Sequence, residues 1–255
     1  MRFPQKKGVR RISKTYPEMD AVIIFHHEWE ALNEAAQSFR KNYDKGELLI
    51  ARDTLPVERK ATLDSLGAKY LPTFSTTQFF IDLKFANREL NLISQVEFLG
   101  KINQDINRMD QVVYNSQSEY ILFMEADSLV RGRVAINENY DMDTLVANPY
   151  PPNLLNLVEE VSGRKLPVNG WGFVTGYVKR SSLESSLRWA ENNSETLIKI
   201  FECDPRFTYL DHFLPILFHF AGFRIFNSGQ VGECLRDKRW ERKKYTLLHQ
   251  YRINY

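Results

Sequence analysis

Apolar positions in the first half of the chain alternate between short runs and helical stripes. Asp20–Phe25 (DAVIIF) is too short for a helix and apolar enough for a buried strand. Over Trp29–Asn42, Leu32, Ala35, Ala36 and Phe39 recur at the three- and four-residue spacing that lines one helix face. Asp44-Lys45-Gly46 then turns the chain into a second strand, Glu47–Ala51. Pro56 has a φ suited to a first helical turn, and it opens a helix that stops at Gly67. Lys69–Leu71 reads as a third strand, Leu92–Tyr114 as a longer helix, and Glu119–Met124 (EYILFM) as a fourth strand. Strands alternating with helices through short connections predict an α/β fold with a doubly wound, mostly parallel sheet.

Beyond residue 130 the alternation loosens, which predicts a mixed C-terminal half. Thr144–Ala147 reads as a strand, Asn153–Val161 as a helix, Gly172–Lys179 as a strand and Ser181–Glu191 as a capped helix. A helix over Asp211–Ala221 and a strand over Phe223–Phe226 come next, and then a basic tail. No repeat or low-complexity linker divides the 255 residues, so one domain over 1–255 is expected. In open sheets of this kind ligands bind beyond the carboxyl ends of the strands.

Composition narrows the function classes. With 43% hydrophobic and 26% charged residues the chain can build a core, and it is not a disordered segment. A net charge of +2 gives no general attraction to nucleic acid. Basic residues gather at Lys6, Lys7, Arg10, Arg11 and Lys14, and again at Arg236, Lys238, Arg239, Arg242, Lys243 and Lys244. Cys203 and Cys234 lack metal-ligand spacing, which predicts a reducing compartment or at most one dispensable bridge. The sequence shows no run of 18 apolar residues and no apolar signal core, so a soluble cytoplasmic protein without a transmembrane segment is expected.

The sharpest chemical signal is Tyr120-Ile-Leu-Phe-Met-Glu125-Ala-Asp127. A buried strand ends there in two carboxylates two positions apart. Hard divalent cations take oxygen ligands and keep waters and substrate phosphates in their shell. One or two carboxylates at a strand end therefore suit Mn²⁺ or Mg²⁺ bridging a diphosphate. Two acids in an ordinary surface turn are the plainer alternative.

On these residues the chain resembles nucleotide-sugar glycosyltransferases of the GT-A fold over most of its length. The matching segments are Phe25-His26-His27-Glu28, Ile50-Ala-Arg52-Asp53, the helix from Leu99-Gly100-Lys101 to Asn107, and Glu125-Ala-Asp127. Glu125 stands where the family more often has aspartate. The resemblance implies a nucleotide-binding half (about residues 20–130) and an acceptor half with the tail (about 131–255). Within the first half it implies donor contacts from His26, Asp53 and Lys101. It implies Asp127 as the direct metal ligand, with Glu125 on the metal, the ribose or a metal-bound water.

The second half adds to that resemblance. Val168-Asn-Gly-Trp171-Gly-Phe-Val-Thr-Gly176 is similar to the family's glycine-rich pocket segment, where Trp171 would stack on a sugar and the glycines would let backbone approach a ligand. A core tryptophan in a bulged strand is the alternative. Tyr209-Leu-Asp211-His212 is similar to the acidic motif that supplies the general base of inverting enzymes; Asp211 also reads as a helix N-cap, with Pro215 near the helix start. His249 matches the C-terminal histidine that completes the metal shell, and Arg239 or Lys243 would meet the diphosphate.

The implied activity is inverting, metal-dependent transfer from a UDP-sugar, galactose or glucose first, to a hydroxyl of an acceptor glycan. In general style the chain is also similar to transferases of large algal viruses, which implies that it can be one domain of a longer multidomain enzyme. An inactive, carbohydrate-binding relative of the transferases is the alternative of a different class. A sugar-nucleotide pyrophosphorylase needs a glycine-rich phosphate loop after the first strand, and no glycine lies between Gly8 and Gly46. His26-His27-Glu28 lacks the H-E-x-x-H spacing of a zinc hydrolase.

Overall fold

In a computed structural model of the protein, the described residues are 14–24, 29–51, 57–71, 95–144, 148–171, 176–203, 210–233 and 246–249. A seven-stranded sheet forms the centre. Its strands are β2 (Asp20–Ile24), β3 (Leu48–Ala51), β4 (Ala68–Leu71), β5 (Tyr120–Glu125), β8 (Met142–Thr144), β11 (Gly176–Lys179) and β12 (Ile225–Phe226). They lie in the order β12-β8-β11-β5-β2-β3-β4. Strands β5, β2, β3 and β4 are mutually parallel, whereas β11 runs antiparallel between β5 and β8. The sheet is therefore mostly parallel in the first half and mixed in the second, as the hydrophobic pattern predicts.

Helices cover both faces, so the central strands need apolar residues on both sides. Ala21 and Ile23 of β2 pack with Leu32, Ala35, Ala36 and Phe39 of α1 (Trp29–Asn42). Val22 and Ile24 pack on the other face with Phe98, Ile102, Ile106 and Met109 of α3 (Gln95–Asn115). That second core continues into α4 (Pro152–Ser162), α5 (Arg180–Glu191), α6 (Ser194–Cys203) and α7 (Leu210–Phe220). Helix α2 (Val57–Ser65) adds Leu63 to the α1 side.

Several elements escape the sequence pattern. Helix α6 is one. The others are short pairs: β1 (Lys14–Thr15) with β7 (Ile136–Asn137), and β9 (Asn148–Pro149) with β10 (Gly170–Trp171). A separate three-stranded sheet joins β13 (Val231–Glu233), β14 (Leu247–His249) and β6 (Leu129–Val130). Strands of two or three residues carry too little periodicity to be read from sequence, and partners distant in the chain create them.

Three local expectations are corrected. Helix α5 begins at Arg180, and its N-cap is Lys179, which makes no side-chain capping bond. Strand β11 runs directly into the helix there, and the Arg180 N–H is taken by the Glu119 carbonyl at 2.8 Å. Helix α7 begins at Leu210, so Asp211 is its second residue rather than its N-cap. Pro215 consequently lies inside the helix.

Candidate functional site

The parallel register aligns the carboxyl ends of the three central strands. Ile24 of β2 pairs with Ala51 of β3 on one side and with Glu125 of β5 on the other. The Ala126 N–H still reaches the Ile24 carbonyl at 3.1 Å, one step past the end of β5. The chain then turns. The Ser128 N–H donates to the Glu125 carbonyl at 3.0 Å, and the Glu125 N–H donates to the Ser128 hydroxyl at 3.1 Å. Glu125 and Asp127 are both half-buried within this turn, and Ser128 is buried beneath it.

Strand β6, immediately after the turn, is held firmly. The Val130 N–H donates to the Ser38 hydroxyl at 3.0 Å, and the Asn42 side-chain amide donates to the Val130 carbonyl at 3.2 Å, so α1 anchors β6. Strand β14 pairs antiparallel with β6, Leu247 across from Val130 and Leu248 across from Leu129. Continued by one step, that register sets the backbone of His249 across from Ser128, the residue after Asp127. Strand β13 flanks β14 on its other side, with Glu233 paired to His249. Farther on, the buried Tyr43 hydroxyl accepts from the Val134 N–H at 2.6 Å, and burial pushes its pKa up to about 12.

The remaining sequence-derived candidates are distributed unevenly. Lys101 lies in the N-terminal half of α3. Trp171 ends β10, with its backbone paired to Asn148. Asp211 lies in the first turn of α7. The side chains of Lys101, Trp171, Asp211 and His249 lie outside the described residues, as do His26, Asp53, Arg239 and Lys243 altogether. Asp53 comes two residues after the end of β3. One glycine of the pocket segment has a role in the fold: a Cβ on Gly176 would lie 2.2 Å from the Asp143 carbonyl oxygen, so the close approach there is to β8.

Two carboxylates at the end of a parallel strand are hard oxygen donors that fit Mg²⁺ or Mn²⁺ shared with substrate phosphates. Among the described residues no group of three or more His, Cys, Asp or Glu side chains gathers to hold a metal. Nor is any helix among them long and apolar enough to cross a membrane.

Sequence reasoning missed one residue of the turn and one buried acid of the sheet. Ser128 closes the acidic turn, and its only sequence signal is the preference of serine for turns. Asp143 of β8 is buried and accepts from the Ser228 N–H at 2.9 Å and from the Ser228 hydroxyl. Burial raises its pKa to about 6, against those bonds, which lower it.

A scan of protein-family models gives no match, and a search of curated proteins gives none. Solved structures similar in shape include three glycosyltransferases. The mannosyltransferase PcManGT from Pyrobaculum calidifontis, in complex with GDP-Man and Mn²⁺, aligns at 12% identity and TM-score 0.41, over 87% of this chain and 58% of that one. The apo glycosyltransferase GlyE of Streptococcus pneumoniae aligns at 10% identity and TM-score 0.47, over 93% and 55%. An active-site mutant of LgtC aligns at 12% identity and TM-score 0.49, over 91% and 86%. The chain thus spans little more than half the length of the first two. Every TM-score is below 0.5, so the fold class rests on the sheet described above. These structures lend no support to the viral likeness.

Proposed function

We propose that the protein is a glycosyltransferase that uses a nucleotide-sugar donor and a divalent cation held at the Glu125–Asp127 turn. The observation that carries this reading is the β6–β14 register, which brings the backbone of His249 to the turn holding Asp127. Two carboxylates at the carboxyl end of a parallel strand, with the backbone of a histidine from a distant part of the chain alongside, suit a cation shared with a diphosphate. When bound, the cation would supply Lewis-acid stabilisation of the charge that develops on the leaving diphosphate.

The chain's own residues do the rest in this reading. Asp127 and His249 bind, with Glu125 on the metal or the ribose. Asp53, with His26 beside it, receives the nucleobase after β3, and Lys101 faces the donor. Arg239 or Lys243 adds positive charge at the diphosphate. Trp171 offers a face to a sugar, and Asp211 removes the proton from the attacking acceptor hydroxyl. The UDP-sugar, the galactose or glucose choice and the inverting course come from the sequence resemblance, and the single-domain organisation from the lack of a repeat or low-complexity linker.

The test is calorimetric titration of UDP and of GDP with and without Mn²⁺, on wild type, Asp127→Ala, Glu125→Ala and His249→Ala. Mn²⁺-dependent nucleotide binding should be lost in Asp127→Ala and weakened in the other two, with the circular dichroism spectrum unchanged. Equal affinity in wild type and Asp127→Ala would remove the metal claim. Hydrolysis or transfer of a sugar from either donor then separates an enzyme from an inactive binding module.

A further inference from the structure

Gln230 sits where three distant parts of the chain meet. Its side-chain amide satisfies both backbone groups of Ala135: Oε1 accepts from the Ala135 N–H at 2.7 Å and Nε2 donates to the Ala135 carbonyl at 2.8 Å. The same Nε2 lies 3.3 Å from the buried Asp143 carboxylate and 3.1 Å from the Ser228 hydroxyl. Its backbone carbonyl accepts from the N–H groups of Thr246 at 3.0 Å and Leu247 at 3.2 Å. A continuous set of contacts therefore runs from Asp143 in the main sheet through Ser228 and Gln230 to Thr246 and Leu247, the first residue of β14.

Strand β14 needs such an anchor. Two of its residues pair with β6, and all three pair with β13, the strand that Gln230 leads into. Leu247 is buried beside Val130 and Val231, but Leu248 follows it, so a slip by one residue would bury one leucine in place of the other. Hydrophobicity alone does not choose between those registers. The slip would move His249 by about 3.3 Å along the strand and turn every side chain to the opposite face. A metal–ligand bond tolerates about 0.2 Å.

We propose that Gln230 is a positioning residue: it sets the register of β14 against β6 and thereby holds His249 at the acidic turn. The inference rests on the metal-dependent reading above for its consequence, and on the β14 hydrogen bonds for its mechanism.

The test uses the full chain with Gln230→Met, which keeps the side-chain length and removes both polar groups. Gln230→Asn, whose shorter amide cannot span both Ala135 groups, is measured in parallel in case the first variant does not fold. Hydrogen exchange at the Leu247 and Leu248 amides reads the anchoring directly, and both should exchange at least about ten times faster than in wild type. Calorimetry with Mn²⁺ and UDP reads the consequence. Affinity should fall about 10- to 100-fold, the usual effect of losing a group that orients a ligand. In a His249→Ala background the same substitution should leave affinity unchanged, which a merely structural role would not produce. Unaltered exchange at Leu247 and Leu248 overturns the proposal, as does an equal affinity loss in both backgrounds. If wild type binds no Mn²⁺, the metal reading fails separately and the exchange rates alone decide whether Gln230 positions the strand.

Discussion

Ser118 donates both its backbone N–H and its hydroxyl to the Asp20 carboxylate, each at 2.8 Å. The same carboxylate accepts from the N–H groups of Glu47 at 2.8 Å and Gln117 at 2.6 Å. One buried acid thus ties together the chain entering β2, β3 and β5. It lies at the end of the sheet opposite the acidic turn, so it aligns the strands whose far ends carry the proposed site. Asp20→Ala would leave four donors without their acceptor and should destabilise the fold by about 3 kcal/mol or more. Asp20→Asn should cost less. Urea unfolding at neutral pH measures both, and a loss below about 1 kcal/mol for alanine would show that water substitutes for the carboxylate.

Gly176 should tolerate no side chain. Its Cβ would lie 2.2 Å from the Asp143 carbonyl oxygen, a backbone atom in a paired strand that cannot rotate away. Gly176→Ala should therefore cost about 1–3 kcal/mol by forcing β11 from β8. Thermal unfolding reads the loss, and a melting temperature equal to wild type would mean that the two strands separate without cost.

Two buried groups should give stability opposite slopes with pH. Asp143 has a pKa raised to about 6 by burial, so the folded state holds its proton more tightly than the unfolded state does. Its contribution is most favourable in acid and is lost as pH rises from about 4 through about 6, on the order of 3 kcal/mol in all. His219 is buried, and burial lowers its pKa, while its Nε2 lies 3.0 Å from the Ser162 hydroxyl and 3.1 Å from the Arg164 carbonyl. Its contribution is present above its ordinary pKa and is lost as pH falls through the folded value. Asp143→Asn should make stability less sensitive to pH across the interval from about 4 to 6, whereas His219→Gln should do so only below about 6.5. Unfolding free energies at successive pH values check both, and a wild-type slope in Asp143→Asn would remove that acid as the titrating group.

Asp211 offers a test of stereochemistry. If it is the general base, Asp211→Asn should retain nucleotide and metal binding and lose about 10²–10⁴-fold in transfer rate. The amide is nearly isosteric in the first turn of α7, so the melting temperature should barely change. The product of the wild-type enzyme should have the anomeric configuration opposite to that of the donor, since one direct displacement inverts the carbon. Proton NMR of the product decides it: retention refutes the assignment. Retained activity in Asp211→Asn transfers the role to another residue.

The sequence by itself determined the repeating strand–helix half and the apolar positions within it. Helix α1 over Trp29–Asn42 follows from spacing alone, as does strand β5, read as Glu119–Met124 and found one residue later at Tyr120–Glu125, because a helix stripe and a doubly buried strand each leave a local signature. The two acids at the end of β5, Glu125 and Asp127, were legible for the same reason, since polar residues ending an apolar run mark the strand's exit. Only the tertiary structure decided the rest. That β14 lies against β6, that Gln230 satisfies Ala135, and that Gly176 is small to accommodate β8 all depend on residues tens of positions apart. Such contacts leave no periodicity in the chain, because each strand is too short to repeat and its partner is chosen by the shape of the assembled core.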